Sequence, residues 1–99
     1  MIIQIVKFKS ALSEAEIRQV MEDRAPQFRA LPGLLQKYYM REMQTGEVGA
    51  VYIWDSEESV RAYRQSDLAR TTTSAYKAVE QPRIELFETI FTLRPEKLP

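Results

Sequence analysis

The sequence predicts a single α+β domain in which one antiparallel four-stranded sheet carries two crossover helices on the same side. Three observations predict it. The chain has 99 residues, 44% of them hydrophobic and 10% aromatic, which suits one compact core and is too short for two. Short β-branched runs alternate with two capped helical stretches in the order βαββαβ. Three of the four strand runs are apolar at both parities, so their sheet is covered on both faces.

Ile2–Phe8 is β-branched, with Ile2, Val6 and Phe8 on one parity and Ile3 and Ile5 on the other, and reads as a strand buried on both faces. Ser13-Glu14-Ala15-Glu16 fits a capping box, in which the serine oxygen and the carboxylate three residues later satisfy free N–H groups at a helix start. Ile17, Val20, Met21, Phe28 and Leu31 form one stripe of that helix. Pro26 removes a backbone donor, which predicts a kink or restart near Arg24, and Leu31-Pro32-Gly33 ends the helix.

Residues 34–43 read as a second strand, with Leu35, Lys37, Tyr39, Arg41 and Met43 alternating against Leu34, Gln36, Tyr38, Met40 and Glu42. Gly46 supplies the positive φ of a tight reversal, so Val48–Trp54 returns as an antiparallel third strand. Asp55 and Ser56 cap a second helix whose Glu57 and Glu58 suit the positive end of its dipole and whose Val60 and Tyr63 face inward. Ser66 offers another cap, and residues 68–76 read as a short helix, a loop, or both. Residues 84–93 form the fourth strand, followed by a short polar tail after Pro95.

This order is the ferredoxin-like split βαβ arrangement, in which both helices lie on one side of the sheet. Ala50, Tyr52 and Trp54 nevertheless oppose Val51 and Ile53, and Ile84, Leu86 and Ile90 oppose Phe87 and Phe91. Four strands spaced about 4.8 Å apart and about 20 Å long make a face of roughly 400 Å². Pairing two such faces removes about 800 Å² from water, a gross gain on the order of 20 kcal/mol against association costs of roughly 4–15 kcal/mol. A homodimer with facing sheets is expected. The competing expectation is that residues 68–79 cover the second face.

Fourteen Lys plus Arg balance 14 Asp plus Glu, so the basic excess that drives nucleic-acid or anionic-membrane binding is missing, and neither partner is expected. With no cysteine and no histidine, the chain lacks thiolate and imidazole chemistry and the usual metal and haem ligands. It also has no asparagine. Gln4 interrupts the apolar start and no small-residue cleavage site follows, so a signal peptide is not expected and a cytoplasmic location is the default.

Leu31-Pro32-Gly33-Leu34, Thr45-Gly46-Glu47, the stretch from Gly49 through Trp54 to Asp55-Ser56, and Ala62-Tyr63 together resemble the dimeric α+β-barrel superfamily, in particular the YdhR-like monooxygenases, relatives of the antibiotic-biosynthesis monooxygenases. The likeness runs from the first strand to Phe91. It implies a homodimer with a small apolar pocket between sheet and helices in each subunit, and oxidation of a small aromatic, quinol-like or polyketide-like molecule without metal or flavin. Haem-degrading relatives use a histidine with an asparagine and a tryptophan, and cofactor-free quinone-forming ones an asparagine and a tryptophan. Of these this chain has only Trp54.

Dioxygen reacts slowly with closed-shell organic molecules, so such an enzyme must bind and ionise an electron-rich substrate. Aromatic walls would hold the rings, a base would take the proton, and a cation would stabilise the oxyanion. The candidates are Trp54 and Arg41 as catalytic residues, Arg41 acting as the oxyanion partner, with Tyr39, Tyr52 and Tyr63 as substrate-binding walls. The base is unassigned. The alternative function is a dimeric barrel that binds a small apolar ligand without turnover.

Overall fold

The computed structural model describes residues 1–97 and shows β1 (Ile2–Phe8), α1 (Glu14–Arg29), β2 (Leu34–Arg41), β3 (Val48–Trp54), α2 (Glu57–Arg64), two single-turn helices α3 (Asp67–Arg70) and α4 (Thr72–Ala75), β4 (Arg83–Glu88) and a 3-10 turn at Pro95–Lys97. The strands form one antiparallel sheet in the order β2-β3-β1-β4. The polar tail expected after Pro95 is described as far as Lys97, and its last two residues lie outside the described residues. Among the described residues no helix is long and apolar enough to cross a membrane.

Local chemistry explains the element boundaries. Ser13 Oγ accepts from the Glu16 N–H at 3.2 Å while Glu16 Oε1 accepts from the Ser13 N–H at 2.9 Å, completing the capping box. α1 then runs uninterrupted to Arg29, so the break expected at Pro26 does not occur. The proline sits in the final turns, and the helix resumes bonding at once because the Ala30 N–H donates to the Pro26 carbonyl. Gly33, at φ +81°, turns the chain into β2 and accepts from the Asp55 N–H at 2.9 Å. Ser56 and Ser66 cap α2 and α3 through the Ser59 and Ala69 amides.

Two strands depart from their expected extents, each for a reason of pairing. β2 carries a bulge between Leu34 and Gln36, which moves Leu34 onto the face of Lys37 and Tyr39 and leaves Leu35 exposed, the reverse of strict alternation. It ends at Arg41, where the partner strand begins, and so falls short of Met43. β4 ends at Glu88 because its register partner, Ile2, stands at the end of β1. Ile90, Phe91 and Leu93 therefore have no strand to join and are almost fully exposed.

Register fixes the two faces. Ile2, Gln4, Val6 and Phe8 lie opposite Trp54, Tyr52, Ala50 and Val48, and this face packs on α1, α2 and the α3–α4 segment to make the core. Residues 68–79 belong to that side: Tyr76 is buried against Phe8 with ring centroids 5.2 Å apart, and Val79 donates to the Lys9 carbonyl. The opposite face carries Ile3, Ile5, Val51 and Ile53 at its centre, flanked by Tyr38 and Met40 on β2 and Phe87 on β4, and among the described residues no helix crosses it.

Candidate active site

The helix-facing side of β2 and β3 ends in a dense aromatic block. Trp54 is wholly excluded from solvent, stacks on Tyr52 with the rings 4° from parallel and 6.2 Å between centroids, and lies 5.3 Å from Tyr63. Its Nε1–H donates to Gln4 Oε1 at 3.0 Å. That bond explains a glutamine within an apolar strand, since a buried indole N–H without an acceptor would carry a desolvation cost of about 1–3 kcal/mol. Tyr52 and Tyr63 are also buried, with hydroxyls 3.5 Å apart, and Phe28 of α1 packs edge-on to Tyr52 at 6.1 Å.

Into this block points a cation. Lys37 Nζ stands 3.3 Å from the centre of the Phe28 ring and 4.4 Å from those of Tyr39 and Tyr52. Three π-faces attract an ammonium, but they replace only part of the hydration it loses. No carboxylate completes the site: among the described residues, the ion pairs include neither Lys37 nor its neighbour Arg24. Burial, reinforced by the Arg24 charge, pulls Lys37 from the usual 10.5 down to about 7. Arg24 Nη2 donates to the Leu68 carbonyl at 2.6 Å and Nη1 to Thr71 Oγ1 at 3.2 Å, while its buried Nε has no partner.

The tyrosines move the other way. Burial raises Tyr39, Tyr52 and Tyr63, and takes Tyr76 to about 12. Near neutral pH all four therefore keep their phenolic protons and act as O–H donors, so none is a base there.

Lys37, Tyr39, Tyr52, Phe28 and Tyr76 line a small void of about 10 Å³, room for a single water. On the far side of Tyr39 and Val48, an open groove of about 960 Å³ runs between α1 and β2, walled by Leu12, Ile17, Met21 and Ala25 with Arg41 among its polar residues. Tyr39 and Val48 line both the groove and the void.

Of the residues singled out from sequence, Tyr39, Tyr52 and Tyr63 gather in this block, with Trp54 sealed behind Tyr52. Arg41 does not join Trp54. Arg41 pairs in register with Val48, and Leu34 with Trp54, which puts the two at opposite ends of the β2–β3 pair, about 20 Å apart at strand rise. Arg41 is exposed and forms an ion pair with Glu14 of α1 at the groove. The sequence pattern does not single out Lys37; the signal that could is its parity, two residues from Tyr39 on the helix-facing side, where most of a lysine is covered.

A split βαβ sheet with a pocket between sheet and helices defines the class, and comparison with known proteins agrees. A family model described as "Putative mono-oxygenase ydhR" matches residues 2–94, and the chain belongs to that family. Among solved structures it is similar to SnoaB, a cofactor-independent oxygenase from Streptomyces nogalater, at 19% identity and TM-score 0.75, covering 93% of this chain and 95% of that one. It is similar at 19% identity and TM-score 0.76 to a "putative antibiotic biosynthesis monooxygenase" from Caulobacter crescentus CB15, over 91% and 90% of the two chains. A dimeric ferredoxin-like protein of unknown function from Thermobifida fusca matches at 17% identity and TM-score 0.70, over 89% and 90%. No curated protein sequence matches significantly.

Proposed function

We propose that the protein is a cofactor-independent monooxygenase that binds a small, ionisable aromatic molecule between sheet and helices, entering by the groove between α1 and β2. The observation that carries this reading is the cation set among the Phe28, Tyr39 and Tyr52 rings without a carboxylate partner. Aromatic walls suit fused or substituted rings, and an unmatched positive charge suits the phenolate or enolate that such rings form.

Ionisation is the step such an enzyme must assist. An anthrone-type substrate, as its enolate, transfers electrons to dioxygen far more readily than as the neutral ketone. The overall change converts the CH₂ between the rings to C=O: dioxygen accepts four electrons, one oxygen enters the product, and the other leaves as water with the two hydrogens lost from carbon. Tyr39 and Tyr52 are the proposed walls, with Tyr63 bracing Tyr52 and Trp54 acting from behind Tyr52 through its stack and its bond to Gln4. Arg41 is proposed to act at the groove, where it can draw in an acidic ligand by exchanging Glu14 for it.

The assembly proposed is a homodimer through the helix-free face. Support comes from the apolar centre formed by Ile3, Ile5, Val51 and Ile53, from exposed Phe87 and Tyr38 beside it, and from Ile90, Phe91 and Leu93, which extend past the sheet and are exposed. The partners and location expected otherwise are a small apolar or aromatic molecule, no nucleic acid or membrane, and the cytoplasm.

Oxygen consumption with a panel of hydroquinones and anthrones tests the activity. The expected result is saturable uptake above the buffer rate, lowered by Tyr52→Phe and by Arg41→Ala through KM. Saturable ligand binding with uptake no faster than buffer would replace the oxygenase with a binding barrel.

A further inference from the structure

The geometry points to Lys37 as the residue that accepts the proton of an acidic hydroxyl on the bound aromatic and then holds the resulting anion, an assignment that rests on the pocket of the proposed function but not on its reaction with dioxygen. Among the described residues that line the void, Lys37 is the one whose side chain changes charge near neutral pH, its Nζ held among the Phe28, Tyr39 and Tyr52 rings. Around it, β2 contributes Tyr39, β3 contributes Tyr52, α1 contributes Arg24, α2 contributes Tyr63 behind Tyr52, and Tyr76 closes the far wall. The tyrosines stay protonated, and among the described residues no aspartate or glutamate lines the void.

The step balances simply. The neutral amine of Lys37 takes the proton from ArO–H, leaving ArO⁻ beside an ammonium within the aromatic walls. Before transfer the amine avoids the cost of a buried charge. After transfer the ammonium has the counter-ion that the empty site lacks, so ligand ionisation and Lys37 protonation favour each other. Arg24 adds a second positive charge that opposes the ammonium in the empty pocket and attracts the anion in the filled one. The Nε of Arg24 is buried and has no partner of its own.

The test uses 4-nitrophenol, whose neutral and ionised forms differ in colour, with the wild type, Lys37→Met and Lys37→Arg, each checked for native circular dichroism. At pH 8 the free probe is largely ionised and Lys37 largely neutral, so binding to the wild type should take up close to one proton per probe, read by calorimetry in buffers of differing ionisation enthalpy. Lys37→Arg, already charged and unable to give up its proton, should bind the ionised probe within about threefold of wild type and take up none. Lys37→Met should bind the ionised probe at least tenfold more weakly, and its bound probe should ionise at higher pH than in water. Failure of the wild type to bind millimolar probe, absence of proton uptake, or a wild-type complex whose bound probe shows the colour of its neutral form would each overturn the assignment. Proton uptake without oxygen consumption on any substrate would instead remove the oxygenase and leave Lys37 in its role.

Discussion

Replacing Lys37 by methionine should stabilise the fold while disabling its pocket, and the magnitude can be worked from the lysine's position. Methionine keeps the unbranched apolar stem and drops the ammonium, so the Phe28, Tyr39 and Tyr52 contacts persist without a charge to desolvate. Because the group goes from 10.5 in the unfolded chain to about 7 in the fold, the unfolded state binds more protons between those values. Stability therefore rises with pH across that window, and the cost of the folded ammonium is fully present below pH 7. Two-state linkage with these values gives an increase of a little under 3 kcal/mol from pH 6 to pH 9, and allowance for the partial exposure of Lys37 reduces it to about 1–3 kcal/mol.

Urea unfolding of the two proteins at several pH values measures this directly. The wild type should gain about 1–3 kcal/mol over Lys37→Met between pH 6 and pH 9, with Lys37→Met the more stable at pH 6. The carboxylates whose values are lowered, Glu16, Glu42 and Asp55, titrate below this range, and Tyr76 near 12 above it, so neither set confuses the comparison. Parallel pH profiles for the two proteins would refute the reasoning, because Lys37 would then be an ordinary hydrated lysine.

Other substitutions probe the supports of the site and the assembly. Trp54→Phe keeps the stack on Tyr52 but strands the Gln4 carbonyl oxygen, and should cost about 1–3 kcal/mol in urea unfolding. Gly33→Ala should cost more than about 2 kcal/mol, since φ is +81° and a Cβ there runs into the Ser59 hydroxyl and within 2.6 Å of the Asp55 carboxylate. Gly46→Ala, at φ +76° with nothing within 4 Å of the added carbon, should cost only about 1 kcal/mol, and the two can be compared by thermal unfolding. Phe87→Asp, which places a carboxylate on the helix-free face at a position exposed in the single chain, should shift sedimentation from dimer to monomer at micromolar concentration.

Most of the architecture was legible because it is written in local chemistry. The Ser13–Glu16 box, the Gly46 reversal and the Ser56 cap each act within a few residues, and they mark α1, the β2–β3 connection and α2 where they stand. What was not legible depends on pairing between distant segments. The bulge that turns Leu35 outward is a matter of β2 against β3, and the loss of strand at Ile90 follows from where β1 begins. Pro26 misleads because a proline near a helix C-terminus sacrifices little bonding that the next turn does not restore.

The site was legible in part. Tyr39, Tyr52 and Tyr63 could be gathered from strand parity and the inward face of α2, but their distance from Arg41 could not, because parity reports which face a residue shares and not how far along the strand it lies. Lys37 escaped notice for a different reason. A lysine in a strand ordinarily extends its amine to water, and only the placement of Phe28 over the end of its stem shows that this one does not.

The most direct measurement is the titration of the Lys37 amine itself, followed by NMR on lysine-labelled protein with Lys37→Arg to assign the signal. The Lys37 amine should titrate near pH 7, and its midpoint should move upward when an ionised nitrophenol fills the pocket. A Lys37 signal that titrates near the ordinary lysine value of 10.5, with or without the probe, would contradict the account of the cation among the rings.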